Sequence, residues 1–353
     1  MLLSQQQVDK IREQSLRMEK DGQITEEVLQ LIYDHRLFHI FVPNELEGRM
    51  TSLPDAVRIF QECSRIDGNM GWLVTIGAGG GFFASFMRPD ISRKVYAHRN
   101  AVIAGSGMPT GKARRVEGGF IVDGSWKYCS GSTHATVFTA NVIVEPDEEQ
   151  VEALSDEAPV IRSMILWPEQ IHINPDWNAF GLKATSSHQI SATNAFVPHE
   201  MTFDITEIQA YENEMIYKYP FLPFAQASFA AVTLGIAEHF LEAAEELLAQ
   251  KPSHPSIEEQ LTTLKTDLKR SETAFYSCIT QSWDQLLREE RLLPEQESAV
   301  SEQCISMAEM SLRCGQELFP LLGLSAAMEN TTVNRTWRDL QTACQHALLR
   351  KYR

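Results

Sequence analysis

The sequence predicts an α+β fold, mostly α, in three consecutive parts: an N-terminal helical domain over 1–100, a middle β-domain over 101–205 and a C-terminal four-helix bundle over 206–353. Three observations lead there. Apolar residues recur at three- and four-residue spacing through the first hundred positions. The pattern then switches to short apolar runs with period-two alternation, as in "GGFIVDGSWKYCSG" and "ATVFTANVIVE". Helical spacing returns in four long segments after Phe221.

In the first part, Val28, Leu31 and Ile32, then Leu37 and Phe38, mark one helical stretch, and Val57, Phe60 and Cys63 with Ile59 and Ile66 mark another after Pro54. "GAGGG" (77–81) falls inside a helical pattern and has Phe82 where a dinucleotide-binding G-x-G-x-x-G needs its last glycine. In the middle part, "GSGMPTG" (105–111) reads as a strand followed by a loop, because Pro109 interrupts it, and "PDEEQVEALSDEAP" (146–159) reads as a solvated hairpin tip. The last part is expected to hold helices near 222–250, 256–289, 295–318 and 332–350, with Pro255 and Pro294 in helix first turns. Within 258–287, Leu261, Leu264, Leu268, Phe275, Ile279, Trp283 and Leu286 keep to one face. Ala225, Ala227, Ala230, Ala231, Gly235 and Ala237 give the first of these helices small residues on several faces, suited to a central position or a subunit interface.

Composition narrows the function classes. A formal net charge of −16 opposes binding to nucleic acid, whose affinity comes from Lys and Arg neutralising phosphates. No apolar run reaches membrane-spanning length and "MLLSQQQVDKIREQ" lacks a signal-peptide core, so a cytoplasmic chain with no membrane partner is expected. The six cysteines show neither C-x-x-C nor zinc spacing and read as reduced, mostly buried thiols. His35 and His39 are four apart, but no carboxylate or cysteine cluster completes a ligand set, and no metal is expected. Lys112, Arg114 and Arg115 form either a solvated cluster or a local phosphate contact.

Three ordered motifs carry a specific resemblance. "PTGKARRVEGGFIVDGSWKYCSGSTHA", "WNAFGLKATSSHQISATNAFVPHE" and "RTWRDLQTACQH" resemble, in order, segments of the acyl-CoA dehydrogenase superfamily, closest to its two-component flavin-dependent monooxygenase branch. The resemblance implies FAD or FMN as cofactor, a small-molecule substrate, a separate flavin reductase or electron-transfer partner, and a homotetramer. An isoalloxazine ring needs an apolar wall, polar donors at its N5 edge and backbone that approaches closely. Trp126 or Tyr128 can be the wall; Ser130 and the amides around Cys129 the donors; Gly131 the point of approach; Thr185 and Ser187 further hydroxyls. By resemblance, Ser130 is the residue at N5. An edge strand with buried aromatics, and a turn capped by hydroxyls, would use the same residue types.

Within this superfamily, the commonest dehydrogenase pattern places a glutamate base after the R-D pair. After Arg338 and Asp339 this chain instead has Gln345 and His346. Helical spacing puts Arg335, Asp339, Thr342 and His346 on one stripe, either a solvent face or an active-site seam. By resemblance His346 is the base or hydrogen-bond partner that activates the substrate, which makes a monooxygenase the leading reading. An FAD-dependent acyl-CoA dehydrogenase, with Glu238 as a substitute base, and a catalytically silent flavin-binding tetramer are the alternatives. Two departures from the branch stand out: glycines in "IGAGGGFFASF" where a second histidine is usual, and Ser186 where T-G-S has glycine.

Overall fold

Helices begin where the sequence supplies caps. In the computed structural model, which describes residues 2–146 and 159–350, Ser4 and Gln7 cap each other reciprocally at the start of α1 (Gln5–Asp21), and Gly22 ends it at φ +68°. α2 (Glu26–Asp34) follows. Ser52 caps α3 (Leu53–Ile66), which has Pro54 in its first turn, and Asp67 then caps α4 (Gly68–Gly81) by accepting from the Asn69 and Met70 amides. α5 (Pro89–Val95) closes this lobe. The "GAGGG" run lies within α4, as its helical context implied. His35 and His39 do not share a helix: α2 stops at Asp34, Arg36 turns left-handed, and buried His39 bonds the Ala101 carbonyl at 2.8 Å. No metal-ligating cluster occurs among the described residues.

The middle part is one seven-stranded sheet built from β1 (Ile103–Val116), β2 (Gly119–Cys129), β3 (Val137–Val144), β4 (Ile161–Leu166), β5 (His172–Asn174), β6 (His188–Pro198) and β7 (Thr202–Phe203). Their order is β5-β6-β2-β1-β3-β4-β7, with β1 and β3 parallel and the other pairs antiparallel. The end strands β5 and β7 do not pair with each other, so the barrel-like middle domain of the resemblance is here an open sheet. The expected loop at 105–111 is also corrected. β1 runs straight through it, and Pro109, which has no N–H to give a ladder, sits where pairing with β3 breaks between Ser106 and Gly111. The proposed hairpin tip at 146–159 lies, apart from its end residues, outside the described residues.

The C-terminal helices are α6 (Phe221–Ala249), α7 (Pro255–Glu289), α8 (Pro294–Leu318), the short α9 (Leu324–Ala327) and α10 (Thr332–Ala343). α7 and α8 start at the two prolines. α6 is apolar on nearly every side and long enough to cross a membrane, but it is a core helix packed against α3, α4, α8 and α10. Its small residues serve that central position. A Cβ at Gly235 would fall 2.2 Å from the Gln61 carbonyl oxygen of α3. Because α6 is shared between the first and last parts, the helices on both sides of the sheet belong to one hydrophobic core. The last helix is shorter than its periodicity suggested. It ends at Ala343, and His346, at ψ 131°, has left it to cap a 3₁₀ turn (Ala347–Leu349).

Candidate active site

β2 delivers Ser130 through a backbone irregularity. Pairing with β6 shifts between Trp126 and Cys129, and Tyr128 takes φ +64°, a left-handed conformation that costs a non-glycine residue about 1 kcal/mol. This undoes the alternation that would put Trp126 and Tyr128 on one face. Trp126 is fully buried, its indole N–H donating to the Asn141 carbonyl at 2.8 Å, whereas Tyr128 is 71% exposed with its ring edge-on to Trp177. Of the two candidate walls, Trp126 is therefore core, and Tyr128 with Trp177 presents the aromatic surface. Cys129 is enclosed, and burial pushes its thiol up to about 12.

Ser130 lies at the centre of a hydrogen-bonded row. The Trp72 indole N–H donates to Ser130 Oγ at 2.9 Å; Ser130 Oγ and Ser187 Oγ are 2.7 Å apart, as are Ser187 Oγ and Thr185 Oγ1; and Thr185 donates to the Leu182 carbonyl at 2.8 Å. A hydroxyl has one proton, so the carbonyl at the Leu182 end fixes the direction of the whole row. Thr185 gives its proton to Leu182, Ser187 gives to Thr185, and Ser130 gives to Ser187. Ser130 thus keeps a lone pair rather than a proton to offer a ligand. The neighbouring amides, expected as donors, are already engaged: Ser130 N–H with the Tyr128 carbonyl and Gly131 N–H with that of Thr185, at 3.1 and 2.8 Å. Gly131, at φ +76°, makes the left-handed turn of the S-G pair.

The loop bearing Thr185 and Ser187 is pinned from two sides. Asn69, at the start of α4, accepts from the Ala184 amide at 2.9 Å, and Asp339 of α10 accepts from the Leu182 amide at 2.5 Å. Arg338 donates to the Phe180 carbonyl at 2.7 Å and pairs with the largely buried Glu19 at 2.7 Å. α10 passes so close that a Cβ at Gly181 would fall 2.1 Å from the Arg338 carbonyl oxygen, which is the work of the glycine in "WNAFGLK". Ser186, where the resembling motif has glycine, sits at φ +47°, and its hydroxyl donates to the Gly22 carbonyl at 3.2 Å. Asp339 is wholly buried near Asp67, and desolvation first, then that charge, raise its carboxyl to about 7.

His346 reaches the same place from the other end of α10. Its ring lies 4.0 Å from Phe229 and 5.8 Å, edge-on, from Trp72, so one indole touches both Ser130 and His346. Desolvation lowers its pKa to about 4, so the imidazole is neutral at pH 7. Its Nδ1 accepts from the Leu348 amide at 3.4 Å, which leaves the proton on Nε2. Glu238 does not join them. It lies roughly 14 Å farther along α6 than Phe229 and bonds Gln61 at 2.9 Å, burial raising its pKa. Lys112 and Arg114 are exposed on β1, outside the site. Two hollows elsewhere, of about 550 Å³ between α1 and α2 and about 90 Å³ beside His239 and Arg335, share no residue with the site.

Residues 227–351 match the family described as acyl-CoA dehydrogenase, C-terminal domain. The match takes in α6 from Ala227 onward, α7, α8, α9, α10 and the 3₁₀ turn after it. Along 350 residues, 96% of this chain and 88% of the relative, it is 22% identical to indole-3-acetate monooxygenase of Acinetobacter baumannii. The fold matches that of 3-HSA hydroxylase from Rhodococcus sp. RHA1 with a TM-score of 0.88 at 19% identity, covering 97% of this chain and 90% of the other. XiaF from Streptomyces sp., solved in complex with FADH2 and glycerol, matches at 0.84 and 18% identity, covering 98% and 90%.

Sequence reasoning brought Ser130, Thr185, Ser187 and His346 to one place but missed Trp72, Phe229 and Asn69. Trp72 had one signal, an isolated aromatic in a glycine-rich helix. Phe229 and Asn69 had none.

Proposed function

We propose that this chain is the oxygenase component of a two-component flavin-dependent monooxygenase. It would use reduced FMN or FAD and oxygen on a small organic substrate, with the flavin supplied in the cytoplasm by a separate reductase. The observation that supports this best is the Trp72 indole touching Ser130 on one side and His346 on the other, with a neutral imidazole where a dehydrogenase needs a carboxylate. The residues present suit a flavin: exposed Tyr128 and half-buried Trp177 as wall, and Ser130 with one free lone pair beside them, the acceptor that the N5–H of a reduced flavin requires. When bound, the flavin supplies the two electrons and the atom at which oxygen is activated.

The protein's own part is positioning. Trp72 and the row ending at Leu182 hold Ser130 in one orientation. His346 offers its Nε2–H to the oxygen or nitrogen of a substrate and so orients it, a role as donor rather than base. Phe229 and Trp72 keep water from that contact. Exposed Phe180, Leu321, Leu324 and Met328 offer apolar surface for the homotetramer we propose; a monomer mass by light scattering would refute that assembly.

Stopped-flow absorbance tests the reading: reduced FMN, then reduced FAD, is mixed with the protein and oxygenated buffer. A long-lived species with a spectrum unlike reduced or oxidised flavin is expected. Direct conversion to oxidised flavin, together with tight binding of oxidised FAD and enoyl-CoA formation, would establish the dehydrogenase instead.

A further inference from the structure

Three of the four glycines after Thr75 in α4 have packing work. A Cβ at Gly77 would fall 2.3 Å from the Phe38 ring, at Gly80 2.7 Å from Ile103 Cβ, and at Gly81 3.0 Å from Val42. Gly79 differs: nothing lies within 4 Å of its Cβ position.

The open position sits on the functional face of the helix. Trp72, Ile76, Gly79 and Phe83 follow one another at spacings of four, three and four and form one stripe, with Ile76 and Phe83 only half-buried. α6 presents the opposing wall through Phe221, Ala225 and Phe229. The two walls meet at both ends, Trp72 against Phe229 at 5.2 Å and Phe83 against Phe221 at 5.9 Å. Between those aromatic pairs stand Gly79 and Ala225, the smallest side chains on either wall. The result is a notch that begins at His346 and runs along α4 for roughly 10 Å, seven residues at the helical rise. Its sides are aromatic and aliphatic.

We infer that Gly79 is the residue that sets how long a substrate the site admits, the notch taking the far ring of a planar, fused-ring aromatic compound whose polar end meets His346. This rests on the proposed oxygenase reading, which supplies the reacting end. An apolar slot with aromatic ends selects flat, uncharged bodies, because each buried ring gains stacking and dispersion contacts that a flexible chain meets less well. A side chain at 79 would occupy the space of the second ring and leave that of the first.

The test compares wild type, Gly79→Ala and Gly79→Leu in binding phenol and 1-naphthol, read by quenching of tryptophan fluorescence, with reduced FMN affinity and melting temperature measured alongside. The inference requires Gly79→Leu to weaken 1-naphthol by about tenfold or more while phenol stays within about twofold. Gly79→Ala should fall between, with FMN affinity unchanged and the melting temperature equal or raised. Equal loss of both compounds, no loss of either, or wild-type protein that binds reduced FMN but no 1-naphthol would overturn it and leave the oxygenase reading standing. Failure of wild type to bind any reduced flavin would remove that reading, and this inference with it.

Discussion

Replacing His346 with phenylalanine should abolish product formation and make the fold more resistant to acid. The ring would still meet Phe229 and Trp72, now at 4.0 and 5.8 Å from the imidazole, so packing changes little. The Leu348 amide loses an acceptor, a cost of about 1 kcal/mol that does not depend on pH. The pH-dependent part follows from burial, which lowers the histidine from 6.5 to about 4. A base with a lowered folded pKa contributes its stability above 6.5 and loses it as pH falls toward 4, because the unfolded chain then binds a proton that the folded chain does not. At pH 5 linkage sets that loss at about 2 kcal/mol, and the variant is spared it. Urea unfolding of both proteins at pH 7.5 and pH 5 yields the quantity as a difference of differences. His134 and His239, lowered by burial to about 4 and about 3, act equally in both proteins and cancel. An identical pH dependence in the two proteins would show that His346 is not desolvated in its aromatic cage.

Other substitutions address the rest of the site. Ser130→Ala leaves the Trp72 N–H without its partner and should cost about 1–3 kcal/mol of stability. It should also divert oxygen from product to hydrogen peroxide and lower coupled turnover, because the acceptor is lost; unchanged coupling in an oxygen-electrode assay would remove Ser130 from the chemistry. Glu19→Gln breaks a buried ion pair with Arg338 and should lower unfolding stability by about 3 kcal/mol, against less than about 1 kcal/mol if the pair behaves as an exposed one. Asp339→Asn keeps an oxygen for the Leu182 amide. A carboxyl raised to about 7 destabilises the wild-type fold progressively as pH rises from about 4 to about 7, since only the unfolded chain ionises there. The asparagine variant should lack that decline, and a matching decline in its unfolding curves would contradict the burial argument.

Much of the fold was legible because helical periodicity and two N1 prolines mark long elements unambiguously. Other features were not. Nothing in "TACQHALL" announces that α10 ends at Ala343. No glycine or proline stands there, and the chain departs because the His346 ring caps Leu348 while Gln226 of α6 holds the Leu348 carbonyl at 2.9 Å, both tertiary events. The stripe from Arg335 to His346 was drawn on a helix that does not continue that far. Period-two alternation could not tell Trp126 from Tyr128 as the exposed ring, because the left-handed residue that separates their faces is Tyr128 itself, not a glycine. Ser130, Thr185 and Ser187 were recognisable as hydroxyls for one cleft. The direction in which they share protons is set by the Leu182 carbonyl, which takes the Thr185 proton, and the row is closed by Trp72, which lies in α4.

α10 serves two parts of the site. Asp339 grips the loop that carries Thr185 and Ser187, and seven positions on, in the turn that follows the helix, His346 meets Trp72 and Phe229. A small slide or tilt of this helix moves the hydroxyl row and the imidazole together, much as two instruments bolted to one bench share its vibrations. Their separation is protected from motions that would disturb either alone. Loosening Asp339 from Leu182 would therefore not simply unsettle a loop; it would let two halves of one alignment drift independently, and misregistration would grow with temperature before any unfolding was visible.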